Sequence, residues 1–132
     1  MPTVRTVNRP ESLSVFLDAG KLGYPIFRGV HVSDPDDPAL ASSFRSHYEL
    51  QLPPRKWEKE LAIVHMGVSF FNDAAQVRRL CRSFPKTVGE YVARVELVSN
   101  EGVNFALTAA KGHLTVWGDP VTLAQRVVEI SS

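Results

Sequence analysis

Arg28 stands inside the apolar run IFRGVHV (26–32) and is followed directly by Gly29. A guanidinium presents a planar fork of N–H donors suited to phosphate or carboxylate. A glycine within a strand marks a bulge or a close backbone approach. The competing reading is an edge-strand arginine in a structural ion pair. Ser69 is the polar centre of GVSFF (67–71), just ahead of a capped helix. Its competing reading is a polar residue of an alternating strand. In GHLTVWGDP (112–120), His113, Thr115 and Trp117 fall on one side of a strand by the two-residue period. An indole can stack on a ring beside an imidazole that bonds to it. His113 is also a candidate general acid/base, since an ordinary imidazole titrates near neutrality. The competing reading is a covered sheet face with Trp117 in the core.

Other residue types are less directed. His31, His47, His65 and His113 are scattered without metal-ligand spacing, so no metal is expected. Arg78, Arg79, Arg82 and Lys86 make one helix face basic. Cys81 falls on the apolar stripe of that helix and reads as inert. The chain has no phosphate-cradling glycine loop, no G-x-S-x-G and no C-x-x-C.

The elements that must position these residues follow from punctuation and period. Residues 4–7 read as a short edge strand. Asn8 and Glu11 have capping-box spacing, and Leu13, Phe16 and Leu17 continue as a helical stripe stopped by Gly20. A strand follows over 26–32. SDPDDP then caps a helix over 38–49, on the spacing of Leu40, Phe44 and Tyr48. LPPRK breaks it, and 56–61 add a helical turn. After the strand 67–71, Asn72 or Asp73 caps a helix over 74–84, with Ala74, Val77, Leu80, Cys81 and Phe84 inward. EYVARVELV alternates as a strand, SNEG turns, and VNFAL and HLTVW are two more strands joined through TAAKG. Asp119 is an N-cap and Pro120 an N1 residue for a short helix over 120–126, and VVEI closes as a strand. The expected fold is α+β, a single compact domain over 1–132. Its mixed or split sheet has five or six strands, with three or four helices.

Composition narrows the class. A chain of 132 residues with 44% apolar and 22% charged residues reads as one soluble globular domain. A net charge of +1 argues against a nucleic-acid backbone as partner. One cysteine permits no internal disulfide, and the apolar runs are too short for a membrane span. A reduced cytoplasmic protein is expected.

Taken in order, FRG (27–29), VSFF (68–71) and GHLTVW (112–117) resemble the ADP-ribosyltransferase superfamily in its arginine-serine form. There an aromatic-Arg-Gly strand, a serine-motif strand and a third motif, usually with a catalytic glutamate, follow one another. The chain is also similar to small bacterial proteins that end in Gly-His-x-Thr-x-Trp-Gly-Asp-Pro. The resemblance spans roughly 24–118. It implies glycosyl transfer from NAD, with Arg28 and Gly29 at the pyrophosphate and Ser69 at the ribose. Tyr24 or Trp117 would stack on a ring, and His113 would act as acid/base beside Ser69. The superfamily's Glu-x-Glu is absent, and His113, Thr115 and Trp117 stand in its place. Branches of the superfamily use histidines or lack the glutamate. The resemblance therefore implies either a toxin-type transferase or a degenerate, non-catalytic binder of NAD or a related nucleotide. The alternative from another class is a non-enzymatic interaction module, such as an antitoxin or immunity protein. Its interface would use the basic helix face or the LPPRKWEK loop.

Overall fold

The computed structural model describes residues 17–46, 49–51, 66–108 and 112–132. The strands are β1 (Leu17–Asp18), β2 (Ile26–Val30), β3 (Val68–Phe71), β4 (Tyr91–Val95), β5 (Asn104–Leu107), β6 (His113–Trp117) and β7 (Val127–Ser131). They form one seven-stranded sheet in the order β1-β5-β6-β3-β2-β4-β7. Every registered pairing is antiparallel, so the sheet is not mixed, and it has seven strands where five or six were expected. The helices are α1 (Ala74–Ser83), α2 (Pro85–Val88) and α3 (Pro120–Gln125), with 3-10 segments at Ala19–Lys21 and Pro38–Phe44. The α+β class expected from the sequence is what the chain adopts. The expected edge strand 4–7 and the turn 56–61 lie outside the described residues.

The split lies between β2 and β3. The β2–β4 ladder holds five registered pairs and the β3–β6 ladder four. The β2–β3 ladder holds one, Phe27 with Phe71. Continuing that register would pair Gly29 with Ser69. The strands part before that rung.

Cross-strand partners share a face, which assigns both sides of the sheet. Phe27, Phe71, Ser69, His113, Thr115 and Trp117 lie on one side. Helix α1 packs there, setting Val77 and Cys81 against Val92, Phe27, Phe71 and Val88. Ile26, Val30, Phe70, Val95, Leu114 and Val116 lie on the other, in the main core with Leu40, Phe44 and Leu123. The Phe44 and Phe70 rings stack there at 6.0 Å.

The ends of two expected helices are corrected; residues 8–16 of the first lie outside the described residues. Leu17 and Asp18 do not end a helix; they pair with Phe105 and Asn104 as an edge strand, and Ala19 N donates to Val103 O at 2.8 Å. The Asp18 carboxylate then accepts from Gly20 N and starts a 3-10 turn. The expected helix 38–49 stops at Phe44 as a 3-10 segment. Its Ser43 carbonyl is taken by Arg28 Nε at 2.7 Å instead of by the next helical turn. Ser46 then opens a new turn: Ser46 N donates to Glu49 Oε1, and Glu49 N to Ser46 Oγ. That is the reciprocal capping box of S-x-x-E, so SHYE is a start signal within the apolar stripe.

Helix α3 follows its sequence signals. Asp119 Oδ2 accepts from Val121 N at 3.0 Å and Thr122 N at 3.3 Å, with Pro120 in the first turn. The cap fixes the helix that drops Leu123, fully buried, onto the core. Asp119→Ala should cost about 0.5–2 kcal/mol in urea unfolding, from the lost cap alone. An unchanged midpoint would show that tertiary packing, not the cap, holds α3.

Candidate functional site

The three strands that carry the selected residues are consecutive in the sheet, β6-β3-β2. The side chains do not converge as expected. Arg28 pairs with Ala93 and shares its side with Ile26 and Val30, whereas Ser69 and His113 point to the α1 side. The expected cleft uniting Arg28 with His113 and Trp117 is therefore corrected: the sheet itself separates them. The physical cause is the register Phe27–Phe71–His113, which puts odd-numbered residues of all three strands on one side.

Arg28 has a clear task where it stands. Nε donates to Ser43 O at 2.7 Å and Nη1 to Ser69 O at 2.8 Å. The rigid guanidinium thus joins the 3-10 segment to β3 across the gap where the β2–β3 ladder ends. It supplies Ser69 O with a donor at the rung the backbone leaves out. Gly29 is also accounted for by the chain's own packing. A Cβ there would come within 2.5 Å of the Val88 side chain and carbonyl. At the adjoining Gly89 (φ 120°), a Cβ would fall 2.3 Å from Val30 O. The close backbone approach read from Gly29 is that of the α2–β4 turn crossing β2.

On the α1 side, His113 and Thr115 meet a residue the sequence reading passed over. Thr108 Oγ1 lies 2.9 Å from His113 Nδ1 and 2.7 Å from Thr115 Oγ1. Nδ1 is also 3.1 Å from the Thr108 carbonyl, and Thr108 N donates to His113 O at 3.1 Å. The Phe71 ring stands edge-on to the imidazole at 5.1 Å. A proton on Nδ1 serves the Thr108 carbonyl, which leaves the two hydroxyls to bond each other. The signal that could have found Thr108 is the hairpin register: Leu107 opposite Leu114 puts Thr108 across from His113.

Trp117 is half-buried at the far end of the same strand, opposite Asn104. Four residues separate it from His113, about 13 Å along a strand. Its indole lies over Gly67, where a Cβ would approach Trp117 Nε1 to 3.0 Å and Thr115 Cγ2 to 2.3 Å. Ser69 is buried beside Thr115. Thr115 therefore stands between Ser69, its cross-strand partner, and Thr108, which joins it to His113. Tyr24 is 43% exposed on the loop that leads into β2, after Gly23 (φ 76°).

Burial pushes the Cys81 thiol up from its ordinary value. The thiol lies 3.8 Å from Tyr91 O, inside the α1 contact. Labelling of native protein by a thiol reagent at pH 7 should be slow and should become fast only in denaturant. Fast native labelling would show that α1 opens readily.

Among the described residues, no group of three His, Cys, Asp or Glu side chains could hold a metal, and no helix is long and apolar enough to cross a membrane. A surface recess of about 420 Å3 lies where the 3-10 segment meets α3, lined by Ala41, Ser42, Arg45, Glu49, Asp119 and Val121. None of Tyr24, Arg28, Gly29, Ser69, His113 and Trp117 lines it. Comparison with protein-family models, curated proteins and solved structures finds no match for the chain.

Proposed function

We propose that the chain is an ADP-ribosyltransferase-like protein that binds NAD or a related nucleotide and is degenerate in transfer. One observation supports this reading above others. The FRG, VSFF and GHLTVW strands are adjacent, in the order β2-β3-β6, and the sheet splits at the seam between the first two. Arg28, Gly29 and Ser69 border that seam.

The degenerate form is favoured by what stands on β6. His113, Thr115 and Trp117 occupy the strand where the resemblance calls for a carboxylate, and His113 and Thr115 are tied to Thr108. A general base must be positioned against the proton it takes. An imidazole whose Nδ1 is held by Thr108 is a positioning and packing group first.

The test is thermal shift with NAD, ADP-ribose and nicotinamide, followed by an assay for nicotinamide release. A ligand at a hundredfold its dissociation constant adds about 2.7 kcal/mol, which raises the melting temperature by about 10 °C in a domain of this size. The expected result is a shift with NAD or ADP-ribose and no release of nicotinamide. Release would make the protein an active transferase or glycohydrolase. The absence of a shift with every nucleotide would sink the reading and leave the non-enzymatic interaction module, such as an antitoxin or immunity protein. The intramolecular hydrogen bonds of Arg28, His113 and Thr115 already favour that second reading.

A further inference from the structure

Charge is segregated at one end of the sheet, independently of any nucleotide site. β2 finishes at Val30, which pairs with Tyr91 at the start of β4, and Glu90 N donates to Val30 O. Two segments meet at this end from opposite sides. On the α1 side, α1 ends and α2 leads into Gly89, whose backbone lies against Val30. This shoulder carries Arg82 and Lys86, both exposed, with Arg79 one turn back. On the core side, the chain leaves Val30 toward the 3-10 segment through Asp34, Asp36 and Asp37.

Among the described residues, neither patch is neutralised by an ion pair; the pairs are Arg94–Glu96 and Arg126–Glu101. Asp34 and Asp37 use carboxylate oxygens to accept backbone N–H groups, which leaves their charge in place. Within the basic shoulder, between Arg82 and Lys86 in sequence, stands Phe84, 57% exposed and the most exposed aromatic side chain among the described residues. Aromatic rings within a polar rim are the residue types enriched at protein interfaces.

We propose that two copies of the chain associate through this end, the basic shoulder of each seating on the acidic 34–37 loop of the other. The arrangement is self-complementary. A two-fold axis in the plane of the sheet, perpendicular to the strands and passing through the end of β2, exchanges the two sides. It therefore sets shoulder on loop twice, which is the isologous contact of a closed dimer. Arg82 and Lys86 meet Asp34 and Asp36, and Phe84 covers the partner's loop at Pro35. A net charge of +1 fits this pairing better than a polyanion, because the basic patch is matched by an acidic one on the same chain.

The experiment is sedimentation of the full chain across a concentration series in low and high salt. The expected result is a dimer in low salt that weakens about tenfold or more in high salt, as exposed pairs are screened. Arg82→Glu with Lys86→Glu should give a monomer, and so should Asp34→Lys with Asp36→Lys. The chain with all four changes should dimerise again, because its patches are complementary in the reverse sense. Asp37 is left alone, since it caps the 3-10 segment. If either reversal disturbs the melting curve, Arg82→Gln with Lys86→Gln and Asp34→Asn with Asp36→Asn read the same contact. Phe84→Ser should weaken the dimer without altering its salt dependence. A wild-type monomer in low salt, a dimer indifferent to either single-patch change, or failure of the fourfold variant to recover would each overturn the proposal.

Discussion

Arg28→Ala is expected to destabilise the domain by about 3 kcal/mol. The substitution removes charge-assisted donors from two carbonyls, Ser43 O and Ser69 O, at 2.7 and 2.8 Å. Hydrogen bonds to charged groups contribute about 1.5–3 kcal/mol each, and a carbonyl left unsatisfied in a part-buried place adds a desolvation cost. Those carbonyls belong to the 3-10 segment and to β3, which bring Phe44 and Phe70 into the core. Loss of the clamp should therefore loosen packing as well as polar contacts. Arg28→Lys should recover only part of the loss. One ammonium is a point charge and cannot span two acceptors as the rigid fork does. Urea unfolding of the three proteins checks this. If Arg28→Ala unfolds within about 0.5 kcal/mol of the parent, as a featureless surface change would, the clamp is wrong. A stable Arg28→Ala protein that loses its nucleotide-induced shift would return the arginine to the ligand.

That outcome turns on a feature that a sequence shows only in part. Period two within IFRGV already puts Arg28 with Ile26 and Val30, on the apolar side of its own strand. Period two within GVSFF and HLTVW likewise groups Ser69 with Phe71, and His113 with Thr115. What joins one strand's sides to another's is the register across 44 to 88 residues of chain, as in Phe27 with Phe71 and Leu17 with Phe105. A single-residue slip would reverse every assignment. Local signals were legible for the same reason that they are local. Asp73 caps α1 and Asp119 caps α3 where the capping residues stand, and Pro85 ends the longer helix. The strand β1 was not legible, because Leu17 and Asp18 are extended only through their pairing with β5. The 3-10 segment was not legible either. Leu40 and Phe44 do face the core together, but Ser43 O is diverted to a side chain 15 residues away in sequence. Gly29 carried a true signal of close approach, and the approaching group is the chain itself.

His113→Ala is expected to cost about 2–4 kcal/mol, and its size decides between the two readings of GHLTVW. The imidazole is 5% exposed, bonds Thr108 through Nδ1 and packs against the edge of Phe71. Its removal leaves a cavity beside Phe71, and the half-buried Thr108 loses a partner. A histidine poised for catalysis in an open cleft would cost little stability when removed. Thr108→Val separates the polar part from the packing part. It deletes the hydroxyl that lies 2.9 Å from Nδ1 and 2.7 Å from Thr115 Oγ1, and it keeps the shape. If the three side chains act as a network, the double variant should be less destabilised than the sum of the single ones, by about 1 kcal/mol. Additivity within the error of urea unfolding would show that His113 and Thr108 only happen to be neighbours. A His113→Ala protein that melts within a degree or two of the parent, yet no longer responds to NAD, would instead make His113 a ligand-binding group. The order β2-β3-β6 would then hold a working site on the α1 side of the sheet, with Arg28 bracing it from behind.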